Sequence, residues 1–348
     1  MKLGLGVDLY RAAAMEVPVE QVRHAEALGF HSVWTAEAYG SDALSPLAYL
    51  AAVTSRIKLA TGVVQIAART PAATAMHALT IDALAGGNRV IIGLGVSGPQ
   101  IVEGWYGQPW GSPNQRLREY VAIMRKVFAR EPLTNDGPEY PLPYTGPGST
   151  AQGKALRSIL HPAGEVEIWL AAGGPRNTAL AAEVADGLLP MGWGAEGEQV
   201  HGPALEAGFA ARGERNQSFD VFGGVGIRIT DNVAATLESQ KPLTAMYVGG
   251  MGSATQNYHR ESMARRGYPE AAERIQELWR AGHKEEAVAA VPDEYLDEGG
   301  LYGTVARIRD RWEPWTRRGL TGLVVRTHQP EGLELLAELA GTRDTAER

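Results

Sequence analysis

The groups able to do chemistry in this 348-residue chain are carboxylates, bare backbone amides and a few arginines, not nucleophiles or metal clusters. There is no cysteine, so disulfides, thiolate metal sites and cysteine nucleophiles are excluded. The eight histidines are scattered without metal spacing, His77 inside a helical pattern and His161 before a proline. No Ser-His-Asp arrangement and no G-x-S-x-G elbow can be read, which leaves hydrolysis without support. Asp8 and Glu37 each follow a short apolar run. Brought into one enclosed site, two carboxylates raise one another's pKa and make an acid/base pair; an exposed loop carboxylate is the alternative for Glu37. In "EIWLAAGGPRNTALAAEVADGLLP", Ala171, Ala172, Gly173 and Gly174 strip side chains from the backbone just before Pro175 opens a helix, and Arg176 follows on its first turn. Free amides at the positive end of a helix suit a phosphate. The same residues equally make a plain strand-to-helix turn with proline at the first helical position.

The elements that must position these groups are short apolar runs alternating with amphipathic helical patterns, the signature of repeated βα units. Strand-like runs lie at Lys2–Val7, Ser32–Thr35, Lys58–Gln65, Arg89–Leu94, Val166–Ala171, Gly187–Pro190, Val221–Ile229 and Gly319–Arg326. Eight such runs, each followed by a helical pattern, predict a closed (β/α)8 TIM barrel, one domain over residues 1–348. Two stretches break the rhythm: an insertion rich in Pro, Gly and Tyr at 131–164, between strands 4 and 5, and extra helices within 240–300, before strand 8. In such a barrel the groups to weigh stand just after each strand: Asp8 and Tyr10, Glu37 and Tyr39, Gln65, Ser97, Ala172–Gly174, Met191 and Arg326. "GLGVSG", Gly93–Gly98, matches a dinucleotide-binding pattern but lacks its helix and its acidic partner; it still reads as a loop where backbone approaches a ligand. Gly62, near the end of the third run, reads alone as a bulge or close packing. Residues 100–112, 131–164 and 240–300 are expected to shape the mouth. Trp105, Tyr106, Trp110 and Tyr144 there suit an apolar, planar guest or the packing of the insertion.

Bulk properties narrow the partners. A 44% hydrophobic, 21% charged composition is that of an ordinary globular protein. A net charge of −7 without clustered Lys and Arg argues against nucleic acid and against an acidic membrane surface. No run reaches the ~18 apolar residues of a spanning helix, and Asp8 interrupts the start before a signal core forms, so the expected address is cytoplasmic.

The segments "GFHSVWTAEAYGSDALSPLAYLA", "IKLATGVVQIAARTPAATAMHALTIDALAGGNRVIIGLGVSGPQIVEGWYG", "RLREYVAIMRKV" and "EIWLAAGGPRNTALAAEVADGLLP", in this order, resemble the luciferase-like flavin and deazaflavin oxidoreductases. Within them the chain is similar to the coenzyme F420-dependent branch of methylenetetrahydromethanopterin reductase, strongly over residues 1–230. The resemblance implies a barrel with its cofactor at the C-terminal strand ends, a homodimer and a small-molecule substrate. It implies a non-prolyl cis peptide at Gly62–Val63 backing the ring, an acidic position at Glu37, a fourth-strand loop at Val96, Ser97 and Gly98, and a phosphate loop at Ala171–Gly174. Gln65 and Arg176, from their places after a strand and on the first helical turn, join the cofactor set; Glu37 from the resemblance, with Tyr39 and Asp8 from their places after strands, are the candidate reacting residues. Sugar-phosphate dehydrogenases of the family carry His after the acidic position and Glu in the fourth loop, where this chain has Ala38 and Gly98. Hydride delivery to an imine, iminium or conjugated alkene is therefore favoured over alcohol oxidation. FMN-dependent monooxygenation and a non-catalytic flavin-binding barrel are the alternatives.

Overall fold

Each short apolar run becomes a parallel strand buried on both faces, one turned to the barrel interior and the other to a helix. The computed structural model describes residues 1–9, 13–213, 218–252 and 257–342. The chain runs β1 (Lys2–Gly6), α1 (Val19–Ala27), β2 (Ser32–Thr35), α2 (Ser45–Ala51), β3 (Lys58–Gln65), α3 (Pro71–Leu84), β4 (Val90–Gly95), α4 (Pro99–Gly104) and α5 (Pro113–Phe128). It continues through β5 (Glu167–Ala172), α6 (Pro175–Val184), β6 (Gly187–Pro190), α7 (Gly197–Ala211), β7 (Asp220–Ile229) and α8 (Val233–Gly250). The last part is α9 (Tyr258–Arg265), α10 (Pro269–Arg280), α11 (Lys284–Ala289), α12 (Asp293–Glu298), β8 (Gly300–Gly303), α13 (Val305–Thr316), β9 (Gly322–Arg326) and α14 (Pro330–Ala340). Strands β1 to β7 and β9 pair in turn, and β6–β7 and β9–β1 close the (β/α)8 barrel.

The described strands include one that the sequence pattern does not predict. Gly300–Gly303 pairs in parallel with Gly226–Ile229, the second half of β7. "GLYG" is too short and too glycine-rich to read as a strand, and its place is set by the long partner beside it. The tract 240–300 does contain helices, as the sequence implies. Leu237, Val248, Met263, Ile275, Leu278 and Tyr302 gather there into an apolar cluster separate from the barrel core. The 131–164 insertion is mainly irregular, with an isolated bridge between Asn135 and Leu142. Its anchor is the buried carboxylate of Glu119 on α5, which accepts from Asn135 Nδ2 at 2.9 Å and from the Tyr140 amide at 2.8 Å. No helix among the described residues is long and apolar enough to cross a membrane.

The barrel interior is plugged by three rings. Trp34 of β2, Trp169 of β5 and Phe222 of β7 meet with centroids 5.0–5.8 Å apart. Ala60, Ile91 and Val324 complete this layer, with Leu189 at its edge. Bulk from one strand is matched by glycine on a neighbour. A Cβ built on Gly4 would lie 2.4 Å from Trp34, one on Gly187 2.4 Å from Trp169, and one on Gly322 2.3 Å from Phe222. These glycines are therefore demanded by volume. Gly187→Ala is expected to destabilise the protein by about 1–3 kcal/mol through overpacking, read as a lower urea midpoint with unchanged slope. An unaltered midpoint would mean that Trp169 has room to move.

Candidate active site

Two adjoining cavities open at the C-terminal ends of the strands. The larger, about 1300 Å³, is bounded by the loop after β4, the turn between β5 and α6, and the start of α9. The smaller, about 390 Å³, sits over the aromatic plug, with Trp34 and Phe222 in its floor. Between β3 and β4 the register shifts from Thr61 to Val64, and the Gly62–Val63 peptide is cis, as the family resemblance implies. Val63 lines the larger cavity and Gly62 the smaller.

The β5–α6 turn presents open backbone to the larger cavity. Gly174 is the N-cap of α6 and offers no side-chain cap; a Cβ built on it meets no described heavy atom within 4 Å. Pro175 has no amide hydrogen, so Arg176 and Asn177 carry the first free donors of the helix, because the Thr178 amide is already bonded to Gly174 O at 3.0 Å. Arg176 and Arg265 both line this cavity, and Arg265 Nη2 donates to the carbonyl of Gly173. Behind the turn, Thr178 Oγ1 donates to Gly174 O at 3.1 Å and contacts His201 Nδ1 at 3.2 Å. His201 stacks flat on Trp193, centroids 4.9 Å apart. Burial, aided by the positive charge of Arg265, holds the His201 pKa below its ordinary value. The turn is thus braced from behind and bare in front, an arrangement that fits a phosphate or another small anion.

The sequence-predicted residues divide between the cavities and the wall. Tyr39, Val63, Val96, Ser97, Gly98, Ala171, Ala172, Gly173, Gly174 and Arg176 line the larger cavity. Ser97 takes a left-handed conformation, φ 61°, which turns the β4 loop toward α4. Asp8 and Gly62 line the smaller cavity, Asp8 beside Arg326 Nε at 3.5 Å. Glu37 and Gln65 line neither of these two cavities. Glu37 Oε1 accepts from the Gln65 amide at 2.9 Å and Arg69 Nη1 at 2.8 Å; Oε2 accepts from the Ala43 amide at 3.1 Å and Arg69 Nη2 at 3.0 Å. Arg69, just before α3, therefore folds this carboxylate into the wall. Burial works against the Arg69 charge, but its bonds to Glu37 outweigh that and raise its pKa. Gln65 Nε2 donates to Glu37 O at 3.0 Å. Asp8 and Glu37 engage different arginines and do not form the acid/base pair that their positions suggest.

The 131–164 insertion also departs from expectation, since none of its described residues lines either cavity. Of the four aromatics weighed for the mouth, Trp105 lines the larger cavity, next to the Tyr39 ring at 6.4 Å. Tyr106 reaches back to Ala38 O at 3.2 Å, and Tyr144 bonds within its own loop to Pro147 O at 3.0 Å. Met191 borders both cavities, and Tyr10 lies outside the described residues. Sequence reasoning misses His259, which borders both cavities, and Arg265. They come from α9, far along the chain, and the available signal was only that 240–300 exceeds one helix.

The wall role of Glu37 has a measurable consequence. Glu37→Ala leaves the half-buried Arg69 without its bidentate partner and two backbone amides without an acceptor. A loss of about 3–5 kcal/mol is expected in urea unfolding, with Glu37→Gln intermediate. Unchanged stability together with lost ligand binding would instead place Glu37 in contact with the guest.

Comparison with known proteins agrees with this fold. Residues 5–322 match the family model described as luciferase-like monooxygenase. A Mycobacterium tuberculosis protein bearing the name of a coenzyme F420-dependent oxidoreductase is 44% identical over 343 residues, covering 97% of this chain and 99% of that one. The solved coenzyme F420-dependent tetrahydromethanopterin reductase of Methanopyrus kandleri superposes with TM-score 0.76 at 22% identity, covering 97% of each chain. An F420-dependent secondary alcohol dehydrogenase, solved with an F420-acetone adduct, superposes with TM-score 0.75 at 17% identity, covering 98% of each. The chain belongs to the luciferase-like monooxygenase family.

Proposed function

We propose that the protein is a coenzyme F420-dependent oxidoreductase that moves a hydride between the deazaflavin coenzyme and a small organic substrate. The observation that carries the reading is the bare, braced turn at Gly173–Arg176 opening into a cavity large enough for a cofactor. The M. tuberculosis relative, similar along nearly the whole chain, supports the choice of coenzyme. In this reading Gly173, Gly174 and Arg176 hold the coenzyme's phosphate. Val96, Ser97 and Gly98 bound its path, and the Gly62–Val63 unit lies against the ring. When bound, the coenzyme supplies the hydride; the protein orients the ring, limits water and handles the proton. Neither carboxylate is set up as a strong base, Glu37 being spent on Arg69 and Asp8 standing beside Arg326. Reduction of an already electrophilic imine, iminium or conjugated alkene asks less of a base than alcohol oxidation does, and is the favoured direction.

The family description itself supports a second reading, FMN-dependent monooxygenation on the same turn. Titrating the purified protein with coenzyme F420 and with FMN, followed by fluorescence, separates the two. Saturation by F420 in the micromolar range or below, with weaker FMN, is expected. Gly174→Val should weaken binding at least tenfold while leaving the unfolding midpoint unchanged, because its side chain projects into the cavity. Preferred FMN binding makes oxygen-dependent chemistry the better reading. Binding of neither, or an indifferent Gly174→Val, overturns the assignment of the turn. A panel of imines, iminium ions and conjugated alkenes then screens for the acceptor.

We further propose that the protein works in the cytoplasm as a homodimer paired through α2 and α3. Their outward face carries Tyr49, Met76, His77, Thr80, Ala83 and Leu84, a neutral strip in which Tyr49, Met76 and Leu84 are 54–63% exposed. Light scattering should give twice the chain mass, and the double variant Met76→Lys, Leu84→Lys should halve it. A monomer in the unaltered protein removes the proposal.

A further inference from the structure

His259 stands at the junction of the two cavities, and neither of its ring nitrogens has a hydrogen-bond partner among the described residues. It lies in the first turn of α9, whose start is clamped by the buried Asn257. The Asn257 carboxamide oxygen accepts from the amides of His259 and Arg260 at 2.9 and 3.0 Å, and its nitrogen donates to Val248 O at 2.7 Å. That clamp holds the imidazole in the wall common to both cavities. The ring packs on Tyr247 of α8, centroids 4.6 Å apart, and neither ring nitrogen has a hydrogen-bond partner among the described residues. Charged groups around it are Asp8, Arg266 and Arg326 along the smaller cavity, and Arg176, Glu261 and Arg265 along the larger. A donor and an acceptor held at a junction, with no bond to another described residue, are available to a guest that reaches from one cavity into the other.

We propose that His259 is the residue at which coenzyme and acceptor meet, hydrogen-bonding the acceptor and relaying to it the proton that a hydride reduction consumes. The proposal rests on reading the larger cavity as the coenzyme site. For a C=N acceptor the balance is complete: the carbon gains the hydride, the π pair moves to nitrogen, and nitrogen takes one proton. One nitrogen of the neutral imidazole gives that proton while the other takes one from water, so the ring ends neutral with its tautomer exchanged; the hydroxide left is neutralised by the proton that a reduced deazaflavin gives up along with its hydride. Burial lowers the His259 pKa to about 4, which keeps the ring in this form at neutral pH.

Carbethoxylation of the full chain by diethyl pyrocarbonate, mapped by mass spectrometry with and without coenzyme F420, tests the placement without needing the acceptor. His259 is expected to react in the free protein and to slow at least tenfold at saturating coenzyme, while exposed His77 and His283 keep their rates. Coenzyme binding seen by fluorescence without protection of His259 overturns the inference alone, as does a His259 that never reacts. Absence of coenzyme binding overturns the coenzyme reading and the His259 role together. With the acceptor found in the screen, His259→Asn and His259→Phe should keep coenzyme affinity within about threefold and lose about 100-fold in kcat, partly restored by added imidazole. Turnover equal to that of the unaltered enzyme would overturn the relay, and the carbethoxylation result stands independently if either variant misfolds.

Discussion

The site depends on how the barrel is filled. An eight-stranded parallel barrel has an interior only wide enough for side chains, and here the middle is closed by Trp34, Trp169 and Phe222. Three indole or phenyl rings fit at one level because Gly4, Gly187 and Gly322 give up their side-chain volume to them. The plug sets the floor of the smaller cavity, so the depth of the mouth is a consequence of packing. Everything chemical lies above that floor, on loops whose origins the strands hold rigid.

Above it, a second constraint shapes the rim. Glu37 and Arg69 tie the loop after β2 to the residues between β3 and α3, and the Glu37 carboxylate takes the amides of Ala43 and Gln65 in the same arrangement. The Gly62–Val63 unit lies just before the tied segment and borders both cavities. A charged pair is thereby used to hold backbone in place, a job in which its geometry matters more than its contribution to stability. The turn at Gly173–Arg176 follows the same logic from the other side, with Thr178, His201 and Arg265 supporting a stretch that presents little but amides.

The chemistry that this arrangement suits is one in which a bound coenzyme does the difficult step and the protein supplies orientation and a proton. The charged groups of the mouth are largely engaged with one another: Asp8 beside Arg326, and Arg266 near Glu298 and stacked on Tyr295. A neutral imidazole between the cavities is a different kind of resource, since it exchanges protons without leaving a charge in a partly buried place.

Much of this was legible in the chain itself. Alternation of short apolar runs with helical patterns specifies βα repetition, because strands buried on both faces must be apolar throughout and their helices must be amphipathic. The Gly-Gly-Pro turn was likewise visible, as it depends on local backbone requirements, whereas the Gly62–Val63 unit came from the family resemblance and the residues alone read only as a bulge or close packing. The partners of side chains were not. Glu37 has the spacing of a mouth residue, yet Arg69 draws it into the wall. Asp8 and Glu37 look like a pair, yet each meets a different arginine. The insertion looked like a lip, yet Glu119 secures it away from the cavities, and β8 exists only because the long β7 offers it an edge. His259 reaches the mouth only through the folding of a helix from late in the chain. Local pattern and covalent spacing determine elements and turns; which charged group meets which is a competition among groups distant in sequence, and only the closed barrel, by fixing their separations, decides it.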